Sequence, residues 1–263
     1  MTNPFVFHEI VTPAPFDLSH FYGEVFGWQF QRIDDQGTLY AIRSSTPGCA
    51  PVGLLTKTSD KPGFSQNTLF YIQVKDIDAF LPKAVALDAQ IVMPATASSL
   101  GEWQYRLAVL CDPQGNHFGV MEPVTRAGQV VPLPGSPFDF NEIVTANPEA
   151  LVARFYQPLF DWTVARTGTS EAPFYTISTG QKTTLSGGIA KINAKPGFHA
   201  YAGFYIWVDD IARSLEKIGL MGGEVIMPEV TVPLGDELVS IAMFADPQRN
   251  RLGLIRRIQG AKP

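Results

Sequence analysis

Apolar residues alternate along one stretch and recur at helical spacing in the next, which predicts short strands and short helices in a fixed order. The run FVFHEIVT (5–12) is brief and rich in β-formers. TPAPFDLSHFYGEVFGW follows, with Phe16, Phe21, Val25 and Phe26 near helical spacing behind a proline-containing start, so a helix is expected there. Strands are expected next through 28–32, 39–42 and 52–55. The pattern then restarts with a strand at 69–74. A second helix is expected behind the cap signal of Asp76, carrying Ile77, Phe80, Leu81 and Val85. Strands near 89–92, 104–110 and 117–121 complete this stretch, and Asp112-Pro113-Gln114-Gly115 makes the turn between the last two. The order strand–helix–three strands is thus used twice.

The whole arrangement then recurs. Glu9-Ile10-Val11-Thr12 returns as Glu142-Ile143-Val144-Thr145, Phe21-Tyr22 as Phe155-Tyr156, and Trp28 as Trp162. At an offset of 134, Phe70-Tyr71-Ile72 matches Phe204-Tyr205-Ile206, Asp76-Ile77 matches Asp210-Ile211, and Met93-Pro94 matches Met227-Pro228. Asp112-Pro113-Gln114 matches Asp246-Pro247-Gln248, with Asn116 and Gly119 answered by Asn250 and Gly253. So many ordered matches identify a tandem duplication. Residues 123–137, PVTRAGQVVPLPGSP, hold four prolines and two glycines, a semi-rigid linker composition. Two domains are therefore expected, 1–124 and 138–263, joined by a linker at 125–137.

Composition narrows the function classes. Of 263 residues, 45% are hydrophobic and 17% charged, which is ordinary globular usage. A net charge of −5 with no Lys/Arg cluster gives no reason to expect nucleic acid. No apolar run approaches the roughly 20 residues that span a bilayer. The start lacks the basic and apolar regions of a signal peptide, and the two cysteines, Cys49 and Cys111, suit a reducing compartment, so a cytoplasmic location is expected. The four histidines, His8, His20, His117 and His199, limit what metal chemistry the chain could run.

A doubled βαβββ unit with a Phe-Tyr…Phe-Gly-Trp helix end (Phe21-Tyr22, Phe26-Gly27-Trp28) and a closing Asp-Pro-x-Gly-Asn turn (Asp112–Asn116) resembles the vicinal-oxygen-chelate superfamily, which includes glyoxalases, bleomycin-resistance proteins and ring-cleaving dioxygenases. The resemblance covers nearly all of both halves. It implies an α+β fold of two tandem glyoxalase-like domains, each an incomplete eight-stranded barrel whose concave face takes a small molecule. It does not fix a reaction.

Metal-dependent members of that superfamily carry a His or Glu at set places on four strands. Carried over, those places fall on Phe7, Gly53, Leu69 and Gly119, and in the second half on Phe140, Gly187, Gly203 and Gly253, none of which can ligate a metal. His8, Glu9, His117 and Glu122 form another conceivable set, but His8 and Glu9 are neighbours on a strand and point to opposite faces. No cofactor is therefore expected, with a divalent metal as the alternative.

Glu9 and Glu142 share a strand face with the lost ligand positions, where each could act as a base, grip a ligand, or accept hydrogen bonds that lock its strand. Tyr40, Tyr175, Tyr71 and Tyr205 sit at repeat-equivalent strand positions and could line a pocket or pack the core. Met93, Trp103 and Tyr105 fall where the mouth of the first barrel should lie. Trp28 and Trp162 read as core anchors. Catalytic roles, if there is catalysis, would fall to Glu9, Glu142 or Tyr71. The favoured expectation is a metal-free protein that binds a small-molecule ligand. A glyoxalase-, dioxygenase- or hydroxylase-like enzyme is the alternative, and a pairing module a third. Neither nucleic acid nor membrane is expected as a partner, and a homodimer is left open.

Overall fold

A computed structural model describes residues 2–101, 103–123, 136–180, 185–192 and 200–258. Most of the linker expected at 125–137, and His199, lie outside the described residues. The element order is β1 (Phe5–Thr12), α1 (Pro15–Phe26), β2 (Phe30–Arg32), β3 (Leu39–Ile42), β4 (Gly53–Lys57), β5 (Asn67–Gln73), α2 (Ile77–Ala86), β6 (Gln90–Leu100), β7 (Trp103–Cys111) and β8 (His117–Pro123). The second half gives β9 (Phe138–Thr145), α3 (Pro148–Leu151), a π-helical turn (Val152–Tyr156), α4 (Gln157–Leu159), β10 (Thr163–Gly168), β11 (Pro173–Ser178) and β12 (Gly187–Lys191). It ends with β13 (Tyr201–Trp207), α5 (Ile211–Leu220), β14 (Glu224–Leu234), β15 (Glu237–Ala245) and β16 (Arg251–Arg257).

Each half forms one curled eight-stranded sheet, in the orders β2-β3-β4-β1-β5-β8-β7-β6 and β10-β11-β12-β9-β13-β16-β15-β14. Within a βαβββ unit the helical crossover returns the chain beside its first strand, so β1 runs parallel to β4 and β5 to β8, with Glu9 opposite Leu54 and Tyr71 opposite Gly119. The sequence neighbours β2–β3, β3–β4, β6–β7 and β7–β8 pair antiparallel. β6 runs well past the expected 89–92. Pro94, which has no N–H to give the ladder, falls inside a register shift between Met93 and Thr96, so the strand bulges around it and continues. β14 repeats the device at Met227-Pro228.

The helices start and stop for local reasons. α1 has Pro15 in its first turn and ends at Gly27, whose left-handed φ of 72° lets its N–H reach the Gly23 carbonyl. The chain then reverses so that Trp28 stacks on Tyr22 at 5.1 Å. The second half has Asp161 in place of that glycine, and its helix passes through the π-turn instead. Asp76 and Asp210 cap α2 and α5, accepting from the Ala79 and Arg213 backbone N–H groups.

Contacts divide the molecule into two compact units, and each draws on both halves of the sequence. The first unit holds most of β5, α2 and β6–β8, together with most of β9, α3, α4 and β10–β12. Its core joins Phe70, Ile72, Phe80 and Phe118 to Phe155, Tyr156, Phe160 and Trp162. The second unit holds most of β1, α1 and β2–β4, with most of β13, α5 and β14–β16. Its core joins Ile10, Phe21, Tyr22 and Leu55 to Phe138, Phe204, Ile206 and Phe244.

One polar lock recurs in both units. In the second, the buried Tyr22 hydroxyl donates to Asp246 Oδ2 at 2.8 Å, and Asp246 also accepts from the Gln248 and Asn250 backbone N–H groups and from Asn250 Nδ2. In the first, Tyr156 donates to Asp112 Oδ2 at 3.0 Å, and Asp112 accepts in the same way from Gln114 and Asn116. The Asp-Pro-Gln turn thus organises its own loop and anchors a helix from the other sequence half. Burial, and then the neighbouring carboxylate, push both tyrosines well above their ordinary pKa. Burial raises Asp246 as well, against the hydrogen bonds that lower it.

Candidate functional site

Strand alternation separates two faces of each sheet. On β1, Ile10 packs under the helices, and His8 lies on that side too, stacked on Phe138 at 4.2 Å and edge-on to Phe204. Phe7, Glu9 and Val11 therefore take the helix-free face. Glu9, only 6% exposed, accepts a hydrogen bond there from the Thr56 hydroxyl of β4. On β5, Phe70 and Ile72 enter the helix-side core, which leaves Asn67, Leu69, Tyr71 and Gln73 on the helix-free face. Both polar atoms of the Asn67 amide are buried, and neither has a hydrogen-bond partner among the described residues.

The second half solves the same position differently. Glu142 accepts from the Tyr201 hydroxyl at 2.8 Å. Tyr201 is the repeat equivalent of Asn67, and Ala190 stands where Thr56 does. One copy meets its carboxylate with a tyrosine. The other holds it with a threonine and places an unsatisfied amide where the tyrosine would be. Sequence reading passed over Asn67, and the signal was the Asn-for-Tyr exchange between the repeats.

Four of the eight transferred metal positions are closed by their surroundings as well as by residue type. A Cβ on Gly119 would stand 2.1 Å from the Tyr71 ring, and one on Gly253 2.1 Å from the Tyr205 ring. At Gly53 and Gly187 it would meet the His8 and Asn141 carbonyl oxygens at 2.4 and 2.6 Å. The other conceivable set does not converge either. His8 is in the aromatic stack, His117 pairs with Cys111 on the ladder, and Glu122 accepts from the Ile77 N–H at the start of α2. Among the described residues, no three His, Cys, Asp or Glu side chains gather as an ion would need.

The remaining sequence candidates are dispersed. Tyr40 and Tyr175, expected either to line a pocket or to pack the core, sit in the helix-side cores, and their neighbours Ala41 and Thr176 take the other face. Tyr71 and Tyr205 are on the helix-free face, each buried with its ring over a glycine. Trp103 and Tyr105 share a face of β7 opposite the core residues Ala108 and Leu110; Tyr105 is buried, while Trp103 and Met93 are half-buried. Trp28 and Trp162 stack on Tyr22 and Tyr156.

No family profile matches the chain. It is 25% identical over 236 residues to a protein named "Putative glyoxylase CFP32" from Mycobacterium bovis, covering 87% of this chain and 85% of that one, and equally to its Mycobacterium tuberculosis counterpart. Among solved structures it is similar to the Mn(II)-bound glyoxalase from Novosphingobium aromaticivorans, with a TM-score of 0.64 at 12% identity over 98% of this chain and 83% of that one. It is also similar to BphC, a halotolerant catechol dioxygenase, with a TM-score of 0.62 at 14% identity over 100% and 90%. The expectation of no cofactor is corrected by these likenesses: a neighbour that binds Mn(II) points to a divalent metal rather than none. The eight strand positions carried over from the superfamily hold only phenylalanine, leucine and glycine and do not fit such an ion, so any donor set in this chain lies elsewhere. Among the described residues no helix is long and apolar enough to cross a membrane. The chain carries, in tandem, the vicinal-oxygen-chelate fold of the glyoxalases and extradiol dioxygenases.

Proposed function

We propose that the chain binds a small organic molecule on the helix-free face of its first sheet, held by the Asn67 amide and the Glu9 carboxylate. The Asn67 amide carries this reading. A buried donor or acceptor without a partner costs about 1–3 kcal/mol, and a ligand with a matching hydroxyl and carbonyl would satisfy both ends at once. Glu9, fixed by Thr56, supplies an acceptor within the same compact unit. The apolar strand residues Phe7 and Leu69 on that face supply the rest of a mostly apolar lining.

The test is calorimetric titration of the full chain with catechol and a panel of small hydroxy- and keto-acids, with and without Mn(II). Saturable binding is expected for at least one compound, weakened about tenfold by Asn67→Ala and by Glu9→Gln. No binding under either condition, or equal affinity in Asn67→Ala, overturns the proposal. A second reading, catalysis, draws support from the names of the similar proteins. The same titrations followed by product analysis separate the two, because an enzyme consumes the compound and loses turnover in Glu9→Gln.

A further inference from the structure

The second unit contains a groove of about 760 Å³ lined by none of Glu9, Asn67 or Tyr205. Its walls come from the end of α1 and the turn after it (Phe26, Trp28), from Arg43 beyond β3, from Ser136 before β9, and from Trp207 and the first turns of α5. This volume lies within the roughly 300–1,000 Å³ of small-molecule sites. Trp28 is a rigid wall, fixed by stacking on Tyr22 and by edge contact with Phe138. Trp207 is different: it is 47% exposed and makes no ring contact among the described residues. Arg43, Arg213 and Lys217 also border the groove, and none is in a salt bridge among the described residues. Two carboxylates, Asp209 and Asp210, lie there too, and Asp210 is committed to capping α5.

The duplication supplies an internal control. In the first unit the equivalent space is filled. Asn3, at the place of Ser136, accepts from the Asp161 N–H at 3.0 Å and from Trp162 Nε1 at 2.7 Å, and donates to the Gln73 carbonyl at 2.9 Å. Phe80, at the place of Ser214, is buried against Phe160 at 5.4 Å. Buried Gln73 stands where Trp207 does, and Ala79 where Arg213 does. One copy has therefore packed this space with an amide and a phenyl ring. The other has serines at both places, keeps the space open, and lines it with an indole and three cations, of which Arg43 donates to the Gln31 side chain and none is in a salt bridge among the described residues.

We propose that this groove is a second binding site, for a flat aromatic carboxylate whose ring lies against Trp207 and whose charge meets Arg213 and Lys217. The two cations are four residues apart on α5 and so project from the same side of the helix. Aromatic stacking supplies the affinity of the ring, and the cations select the acid over a neutral isostere.

The experiment is calorimetric titration of the full chain with 2-naphthoate and, as the uncharged counterpart, 2-naphthamide. Saturable one-to-one binding of 2-naphthoate is expected, with the amide about tenfold weaker. Arg213→Gln combined with Lys217→Gln should weaken 2-naphthoate about tenfold and erase the preference. Ser214→Phe, which installs the ring of the other copy, should abolish binding of both. Asn67→Ala should leave 2-naphthoate affinity unchanged, which separates this site from the sheet face. Absence of saturable binding at millimolar probe, or an unchanged preference in the doubly neutralised protein, overturns the proposal. If Ser214→Phe fails to fold, the neutralised variant, altered only at partly exposed helix positions, still decides.

Discussion

Gly119 and Gly253 illustrate how much a single missing side chain can determine. At each, the ring of the tyrosine opposite occupies the space a Cβ would need, so the glycine exists to admit the ring. From sequence, these glycines read only as lost ligand positions. The recurrence of Tyr71 with Gly119 and of Tyr205 with Gly253 was visible, but pattern alone does not say that two residues on neighbouring strands are in contact. Gly119→Ala forces ring or backbone to move and should destabilise by about 2–3 kcal/mol in urea denaturation. Tyr71→Ala combined with Gly119→Ala should be no less stable than Tyr71→Ala alone, since the clash disappears with the ring. Additive losses in the double variant would show that the glycine answers some other constraint. The faces of Glu9 and His8 were legible because alternation is strict on an unbulged strand; the Asn67 amide was not, because partner satisfaction is a property of the fold.

At the scale of elements, period and turn chemistry placed nearly every strand and helix, and failed where a local device overrides them. β6 was expected to stop before Pro94, and the bulge carries it on; the π-turn after Leu151 leaves no periodic mark over five residues. The Tyr–Asp locks tie a helix to a distant turn and have a measurable consequence. Tyr22 and Tyr156 bind their protons more tightly folded than unfolded, their folded pKa values lying above the ordinary value of 10.0. Their contribution is thus fully present below about pH 10 and is lost as pH rises through the folded pKa. Each tyrosine should steepen the fall by up to about 1.4 kcal/mol per pH unit. Tyr22→Phe with Tyr156→Phe should lower stability at neutral pH by about 1–3 kcal/mol per site, because each aspartate loses a donor. The same variant should unfold with a shallower pH dependence above pH 10. Identical alkaline slopes in urea titrations of the two proteins would mean the locks do not govern it.

For the whole molecule, the duplication dictates two sheets, and both halves of the sequence contribute to each compact unit. Periodicity reveals which face of a helix is buried but not against what, so this exchange of partners was invisible in the chain. Tyr22 needs a turn like that at Asp246, and Asp112 needs a tyrosine like Tyr156; each half alone carries one of each, but the two belong to different compact units. Because the halves are equivalent, a second copy of one half can supply what the other half normally does. The fragment 1–124 should therefore sediment as a homodimer in which Tyr22 of one copy meets Asp112 of its partner. Asp112→Ala should remove the acceptor and leave the fragment unfolded or molten, without dispersed amide resonances. A well-folded monomeric fragment, insensitive to Asp112→Ala, would show that one sheet and its own helices suffice. A dimer sensitive to that substitution would instead place the origin of the tandem chain in the joining of two copies that already depended on each other's tyrosine and turn.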